Sequence, residues 1–267
     1  TEIYTLSLHD ALPIYEIDWV LQDKLNHASL FDGNRLIGLP VQRYLHNNLE
    51  SLEKKLNKQT GTGLVVTDNV FSMDGDRANI DGIKTISAES GALLIQDDAH
   101  GFGIFESTIP DHSIYMATLG KAAGVMGAFV SGNSDLIEFL IQKSRPYIYT
   151  TAISPSMCVA ILKSLELIKK GEQKEKLFSN INYFINCAET LDLHFEPSES
   201  AIQPLIIGSS NKALSLSNKL FEAGYFVSAI RPPTVPPNTA RLRFTLSANH
   251  NFSQIESLLQ KVKDVMA

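Results

Sequence analysis

From residue 63 onward, the sequence alternates short apolar runs with amphipathic stretches, and this alternation limits the fold more than any other feature. The apolar runs predict buried strands at residues 63–67, 92–96, 113–118 and 128–130. The amphipathic stretches predict helices at residues 80–90, 134–143 and 154–170. Strands that alternate with helices are typical of an α/β protein built around a mostly parallel sheet.

The pattern changes after the charged stretch at residues 169–176, where Gly171 interrupts a run of Lys and Glu. Beyond this stretch the sequence predicts helices at residues 212–223 and 253–265 and strands at residues 226–230 and 241–246. We therefore expect a large domain at residues 15–170 and a smaller C-terminal α+β domain at residues 171–267.

Residues 1–14 differ in character from the rest of the chain and read TEIYTLSLHDALPI. They lack the basic start and the continuous apolar core of a signal peptide. The string resembles the translation of a sequencing-library adapter, so we expect a foreign tail here; a native N-terminal tail is the alternative.

Charge and composition exclude several classes of protein. The chain has 23 Lys and Arg against 29 Asp and Glu, a net charge of −6, and its basic residues do not cluster, which disfavours a nucleic-acid partner. No apolar run approaches the roughly 18 residues that span a membrane. The two cysteines, Cys158 and Cys187, lie far apart without metal-binding spacing, so we expect no metal site and a cytoplasmic location.

Polar residues follow three neighbouring predicted strands at the point where each strand ends. These segments begin at Asp68, at Asp97 and at Thr118. Ligands of open α/β sheets bind beyond the carboxyl ends of the strands. We therefore expect an acid, a histidine and a lysine to converge on one small ring.

Lys121 is the lysine of this set, and small residues at 120 and 122–124 surround it in the sequence. A desolvated amine at this position would be a nucleophile, because burial lowers the pKa of a lysine. The alternative is an ordinary lysine at the start of a helix. The glycine and the hydroxyl residue that a phosphate-binding P-loop requires are both missing.

Asp97 closes an apolar strand, where a buried carboxylate needs a cationic partner. A protonated pyridine nitrogen would be such a partner, and His100 could donate a hydrogen bond to a phenolic oxygen of the same ring. The alternatives are a polar turn or half of a metal site. Ser72 and Thr118 offer hydroxyls to ligand oxygens, although such residues are also common in caps and turns.

Several motifs taken together resemble the α-oxoamine synthases, which are pyridoxal 5'-phosphate (PLP) enzymes of fold type I. They are Asn26-His-Ala-Ser-Leu30, His46-Asn-Asn48, Val70-Phe-Ser-Met-Asp-Gly-Asp76, Asp97-Asp-Ala-His-Gly101, Thr118-Leu-Gly-Lys121, Arg231-Pro-Pro-Thr-Val-Pro236 and Arg241-Leu-Arg243. The resemblance covers nearly everything from Tyr15 to the C-terminus. It implies the PLP-dependent transferase fold of type I, with PLP as the cofactor.

The resemblance also implies cofactor-binding roles. Lys121 matches the lysine that holds PLP covalently and later moves the substrate α-proton. Asp97 matches the partner of the pyridine nitrogen, and His100 matches the partner of the ring oxygen. The cofactor-contacting hydroxyls are those of Ser72, Thr118 and, reaching the phosphate of a partner subunit, Thr151.

Four residues match substrate-binding positions of the family. His27 matches a histidine that stacks on the ring, and its alternative is a polar residue that starts a helix. Arg243 matches the guanidinium that clamps the α-carboxylate of the amino acid. Thr234 matches a substrate contact, with Arg231 close by. A solvated strand face is the alternative for Arg243 and for Arg241, two positions along the same strand.

Within this family the chain is most similar to members that condense L-alanine with a pimeloyl thioester, with loss of CO₂, in biotin biosynthesis. The acyl donor would be pimeloyl-CoA or a pimeloyl-carrier protein, and the full-length enzyme would be a cytoplasmic homodimer. Residues 200–204 and 231–236 favour this reaction over that of a glycine C-acetyltransferase. A fragment without catalytic function is the remaining alternative.

The sequence departs from the family in two places. Asp68-Asn69 stands where a Glu followed by a small residue is usual, which shortens the acidic side chain by one methylene. The family also carries a long segment upstream of the region that matches Tyr15. We therefore expect the large domain to be incomplete at its N-terminal end and this chain to be inactive as given.

Overall fold

The computed structural model describes residues 17–107, 109 and 113–266. The chain divides into two compact units, the first made from residues up to 71 together with 78–166, the second from residues 72–77 and 167–267. The foreign tail expected at residues 1–14 lies outside the described residues. The domain division expected at residue 170 stays a prediction. Residues 72–77, expected in the large domain, belong to the second unit.

The first unit is built around a six-stranded sheet. Its strands are β1 (Trp19–Asp23), β2 (Val41–Tyr44), β3 (Gly63–Asp68), β4 (Leu93–Asp97), β5 (Ser113–Thr118) and β6 (Ala128–Ser131). They lie in the order β2-β1-β3-β4-β5-β6, and every neighbouring pair is parallel except the antiparallel pair of β5 and β6. The expectation of a mostly parallel sheet is confirmed.

The helices of this unit are α1 (Ala28–Ile37), α2 (Leu49–Leu56), α3 (Ile80–Glu89), α4 (Ser134–Lys143), α5 (Arg145–Ile148) and α6 (Pro155–Lys170), the last of which continues into the second unit. Alternate residues of β3 pack on opposite faces of the sheet. Leu64 and Val66 join a buried cluster with residues of α1 and α4, whereas Val65 joins a cluster with residues of α2 and α3. The sheet is therefore covered on both faces, which suits its continuous apolar strands.

The second unit contains a three-stranded antiparallel sheet and three helices that lie wholly within it. Its elements are α7 (Glu172–Thr190), β7 (Ile202–Gly208), α8 (Ser210–Glu222), β8 (Ser228–Ile230), β9 (Ala240–Thr245) and α9 (Phe252–Met266), with the strands in the order β7-β9-β8. This arrangement agrees with the expected α+β character.

Two details of the second unit differ from the sequence analysis. The charged stretch at residues 169–176 is helical except at Gly171, whose φ of 80° separates the end of α6 from the start of α7. The strand expected at residues 226–230 is shorter, since Phe226 is 85% exposed and precedes β8. No helix within residues 17–107 and 113–266 has both the length and the apolar character that a membrane span requires.

Candidate active site

The carboxyl edge of the six-stranded sheet brings two acidic residues side by side. Asp68 ends β3, Asp97 ends β4, and the two are direct partners in the register of these parallel strands. Both are almost fully buried, with 3% and 4% of their surface exposed. Thr118 ends the next strand, β5, so the three strand ends that carry the predicted polar residues are neighbours in the sheet.

Asp97 is a buried carboxylate close to two cationic side chains. Its Oδ1 accepts a hydrogen bond from the N–H of Ala99 at 2.9 Å. Burial raises the pKa of Asp97, and the Ala99 N–H together with the positive charges of Lys121 and His27 opposes that rise. Lys121 and His27 therefore lie within electrostatic reach of this carboxylate.

Asp98 has a different environment from Asp97, although the two are adjacent in the chain. It is 1% exposed, and its Oδ2 accepts hydrogen bonds from Tyr115 Oη at 2.6 Å and from Ser107 Oγ at 2.9 Å. Burial, followed by the hydrogen bond and charge of Asp98, raises the pKa of Tyr115 above its ordinary value. Asp98 is thus bound to hydroxyl groups of its own unit.

Asp68 connects the end of β3 to the start of α1. Its Oδ2 accepts a hydrogen bond from the backbone N–H of His27 at 2.6 Å. Burial and the charge of Asp97 raise the pKa of Asp68 well above its ordinary value, whereas the His27 N–H and the charge of Lys121 lower it. In the sequence, Asp68 begins one of the three polar strand-end segments and departs from the family pattern, but neither feature indicates this contact with His27.

His27 caps α1, and its side chain is exposed. Its Nδ1 accepts a hydrogen bond from the backbone N–H of Ser29 at 3.3 Å and lies 2.8 Å from Ser29 Oγ. The alternative considered above, a polar residue at a helix start, therefore describes the local structure correctly. The same residue also contributes positive charge near Asp97.

Lys121 lies in the turn that joins β5 to β6 and not at the start of a helix. The turn is closed by hydrogen bonds from Leu119 N to Gly127 O at 2.8 Å and from Gly124 N to Lys121 O at 3.0 Å. Lys121 is exposed. The expectation that burial desolvates its amine is therefore wrong for the chain by itself.

One of the small residues beside Lys121, Gly124, has a backbone conformation that favours glycine. Gly124 has a φ of +65°, in the region that favours glycine, although a Cβ at this position would meet no atom within 4 Å. Thr118 Oγ1 donates to Gly127 O at 3.3 Å and accepts from Gly120 N at 3.2 Å. The Thr118 hydroxyl thus shapes the turn that carries Lys121.

His100 and Thr151 occupy loops of the same unit. His100 is half-buried in the turn that follows β4, where the N–H of Gly101 donates to Asp98 O at 3.2 Å. Thr151 is exposed in the segment between α5 and α6, and its carbonyl oxygen lies 3.5 Å from Thr150 Oγ1. Within the described part of the chain, no hydrogen bond joins Thr151 to the strand ends.

In the second unit, Arg243 lies in the middle of β9, and its Nη1 donates to the carbonyl oxygen of Ser72 at 2.8 Å. Its Nε is buried and has no hydrogen-bond partner among the described residues. Burial lowers the pKa of this guanidinium. The reading of this strand as a solvated face is therefore wrong at Arg243.

Arg241 is 5% exposed and forms an ion pair with Asp74, while its Nε donates to Thr239 O at 3.2 Å. The solvated-face reading is wrong here as well, because the charge is buried and paired. Arg231 and Thr234 lie in the exposed turn after β8, where Thr234 N donates to Arg231 O at 3.0 Å.

The structure therefore forms two groups of expected site residues. Asp97, Lys121, His27 and Thr118 belong to the first unit, at or near one edge of its sheet, with His100 on the turn after Asp97. Ser72, Arg243, Arg231 and Thr234 belong to the second unit. A buried carboxylate near a primary amine suits a ligand that carries both a ring cation and an aldehyde, and a guanidinium with a buried, unpartnered N–H suits a carboxylate.

Residues 8–262 match the family model of aminotransferase class I and II. The chain is 48% identical over 259 residues to 8-amino-7-oxononanoate synthase of Pseudomonas entomophila (strain L48). The aligned region covers 92% of this chain and 66% of that protein. The synthase of the same name from Stutzerimonas stutzeri (strain A1501) is 47% identical, covering 94% of this chain and 67% of that protein. The chain thus spans about two thirds of the length of the curated relatives it matches.

Two solved structures also match the fold of this chain. 8-Amino-7-oxononanoate synthase from Francisella tularensis matches with a TM-score of 0.81 and 31% identity, covering 97% of this chain and 78% of that one. A variant of serine palmitoyltransferase from S. paucimobilis, with bound PLP–myriocin aldimine, matches with a TM-score of 0.88 and 26% identity, covering 97% and 69%. These matches confirm the resemblance drawn from the motifs and the expected fold of type I PLP-dependent transferases. The chain belongs to the aminotransferase class I and II family.

Proposed function

We propose that this chain is part of an 8-amino-7-oxononanoate synthase, which condenses L-alanine with a pimeloyl thioester and releases CO₂ in the cytoplasm. The observation that carries the proposal is the buried carboxylate of Asp97 at a strand end, close to the charge of Lys121. The relatives that bear this name, at up to 48% identity, support the choice of reaction. The acyl donor would be pimeloyl-CoA or a pimeloyl-carrier protein.

The residues of the first unit fit PLP as the cofactor. Asp97 would hold a proton on the pyridine nitrogen, since a buried carboxylate is stabilised by a cation beside it. Lys121 would bind the aldehyde carbon through Nζ and, once released, take the α-proton of alanine. His100 would donate to the ring oxygen, and the face of His27 would cover the ring. Bound PLP supplies the electron sink that a carbanion at the α-carbon requires.

The residues of the second unit fit the amino-acid substrate and one edge of the cofactor. Nη1 of Arg243 is engaged with Ser72 O, while its buried Nε has no partner among the described residues. The guanidinium fork therefore retains an N–H for the α-carboxylate of alanine, and charge-assisted hydrogen bonds of this kind are strong. Ser72 would contact the cofactor through its hydroxyl, and Thr234, with Arg231 near it, would contact the substrate.

The reaction is tested with the full gene product, supplied with PLP, pimeloyl-CoA and one amino acid at a time. We expect 8-amino-7-oxononanoate and CO₂ to form from L-alanine, as measured by mass spectrometry, and neither to form with Lys121→Ala. A preference for glycine would favour the acetyltransferase-like alternative. Absence of any product and of bound PLP would favour a fragment without catalytic function.

We further propose that the protein is a homodimer and that a second copy covers the apolar side chains near Thr151. Tyr149 is 73% exposed, and Val159 and Leu162 on α6 are 66% and 68% exposed. The helix has no buried residue among those described. The resemblance implies that Thr151 reaches the cofactor of the partner subunit, which supports a subunit interface at this segment.

Light scattering after size exclusion tests the homodimer. Leu162→Glu should shift the full gene product from dimer to monomer, because it introduces a charge into an apolar contact. Lys163→Glu is the matched control, since it alters the neighbouring position of the same helix and should leave the dimer intact. A wild-type monomer would contradict the proposal.

A further inference from the structure

The carboxylate of Asp68 holds the backbone of His27, the residue that the proposed function assigns to the face of the cofactor. The hydrogen bond from His27 N to Asp68 Oδ2 measures 2.6 Å, and Asp68 is 3% exposed. Hydrogen bonds between an amide and a buried carboxylate are stronger than those between neutral groups. The position of the His27 main chain therefore depends on this acid.

Asn26 joins the same two segments by two further hydrogen bonds. Its Nδ2 donates to Val66 O at 2.9 Å, and its Oδ1 accepts from Asp68 N at 3.1 Å. Asn26 is itself 5% exposed. The chain immediately before α1 is thus tied to the end of β3, with Asp68 taking part through both its backbone and its side chain.

The imidazole of His27 is itself held by a hydrogen bond from the first turn of α1. Its Nδ1 accepts from Ser29 N at 3.3 Å, so a neutral ring carries its proton on Nε2. The ring is bonded to the helix through Nδ1, and the backbone N–H of His27 is bonded to Asp68. The orientation of the ring plane therefore follows from the position of the main chain. Moving that main chain would move the ring.

The carboxylate is an expensive choice for this position if its only role is structural. Asp68 is the direct register partner of Asp97, and the charge of each raises the cost of ionising the other. A neutral amide could accept the same hydrogen bond without placing a second buried acid beside Asp97. An acid at this position is therefore costly, although it accepts the His27 N–H.

We propose that Asp68 is a positioning residue that sets the location of the His27 imidazole over the cofactor, an inference that rests on the proposed function. Through this contact Asp68 determines how firmly His27 covers the ring. The Asp68 side chain reaches the His27 N–H directly, at a position where the family has the longer Glu.

Hydrogen exchange of the full gene product without added cofactor tests the contact. We expect the peptide that contains His27 to exchange about tenfold faster in Asp68→Ala and only about threefold faster in Asp68→Asn, because the amide oxygen still accepts the hydrogen bond. Asp98→Asn is the matched control, since it neutralises a buried acid that contacts Tyr115 and Ser107, and it should leave this peptide unchanged. If Asp68→Ala does not fold, the Asp68→Asn variant decides. Unchanged exchange at His27 would overturn the proposal.

A double-mutant cycle on the dissociation constant for PLP tests whether Asp68 acts through His27. We expect Asp68→Ala to weaken PLP binding about tenfold and Asp68→Asn about threefold in the wild type, and neither change to have a further effect in a His27→Ala background. An effect of the same size in both backgrounds would overturn this role, because Asp68 would then act on the cofactor through its own charge. A wild type that binds no PLP would overturn the proposed function as well, so the two failures are distinguishable.

Discussion

The two compact units both bury charged side chains, an arginine beside a half-buried acid in the second unit and two acids in the first, but they compensate the charge in different ways. In the second unit, Asp74 forms an ion pair with Arg241, and the arginine also donates to the backbone of Thr239. In the first unit, Asp68 and Asp97 are register partners in adjacent strands, and the charge of Asp97 raises the pKa of Asp68. One region pairs opposite charges, whereas the other places like charges together.

The difference separates a structural site from a functional one. A buried charge with a built-in counter-ion stabilises its surroundings through that pair, and removing one partner is costly. Two buried acids side by side raise each other's pKa and weaken the fold unless a further cation is bound. Clusters of this kind occur preferentially where a protein binds or transforms a ligand. The comparison predicts that substitutions in the first unit affect ligand binding and that substitutions in the second affect folding.

The largest expected effect in the first unit is that of Lys121→Ala. Because the proposed function has Nζ bind the cofactor and take the α-proton, condensation activity should fall by a factor of at least about 10³. Borohydride reduction of the wild type with PLP, followed by peptide mapping, should place the pyridoxyl group on Lys121. Modification of another lysine would contradict the assignment. Lys84→Ala, on α3, is a control that should retain the label on Lys121.

The largest expected effect in the second unit is that of Arg241→Met, which leaves Asp74 without its cation. We expect a loss of about 2–3 kcal/mol in the free energy of unfolding, measured by urea denaturation, because water only partly reaches the half-buried Asp74. Arg77→Met is the matched control, because Arg77 pairs with Glu199 in an exposed ion pair, with side chains 41% and 78% exposed. That control should change stability by about 1 kcal/mol or less. Equal losses in both variants would remove the distinction between the two pairs.

Asp97→Asn and Asp98→Asn distinguish two adjacent buried acids of the first unit. Asp97→Asn should lower condensation activity about 10²–10³-fold while PLP is retained, because it removes the charge that the proposed function places beside the pyridine nitrogen. Asp98→Asn should have the smaller effect on activity, since its carboxylate contacts Tyr115 and Ser107. If Asp98→Asn proves the more damaging change, the two carboxylates have been assigned the wrong roles.

Much of the sheet could be predicted from the sequence because its strands are continuous apolar runs. The strand at residues 113–118 and the helix at residues 134–143 have the expected bounds, since turn residues and helix caps mark their ends. The helix α7 could not be predicted by the same reasoning. Its first turn is highly charged and follows Gly171, so the sequence there is also typical of a loop.

The candidate site could be predicted in composition but not in its contacts. The motifs supply Lys121, Asp97 and His100, but they do not indicate that Asp68 bonds to the His27 backbone, 41 residues away in the sequence. They also do not indicate that Asp74 pairs with Arg241, 167 residues away. Such contacts depend on strand register and on packing between distant segments, and neither is encoded locally.

The smallest expected effect is the pH dependence of stability conferred by Asp97. Burial raises the pKa of Asp97 in the folded protein above its ordinary value of about 3.9. Between those two pKa values the folded state binds more protons than the unfolded state, so this carboxyl makes the protein less stable as pH rises through the interval. Asp97→Asn removes that contribution and should therefore become progressively more stable relative to the wild type as pH increases from about 4. Urea denaturation of both proteins at a series of pH values measures this difference. Groups that do not interact with Asp97 cancel in it, whereas Asp68, whose pKa is raised by the charge of Asp97, adds to it in the same direction. Asp32→Asn, an exposed position with its side chain 69% accessible, is the control and should show no such trend. A difference for Asp97→Asn that stays constant or falls with pH would show that the charges near Asp97 outweigh its burial in the free chain.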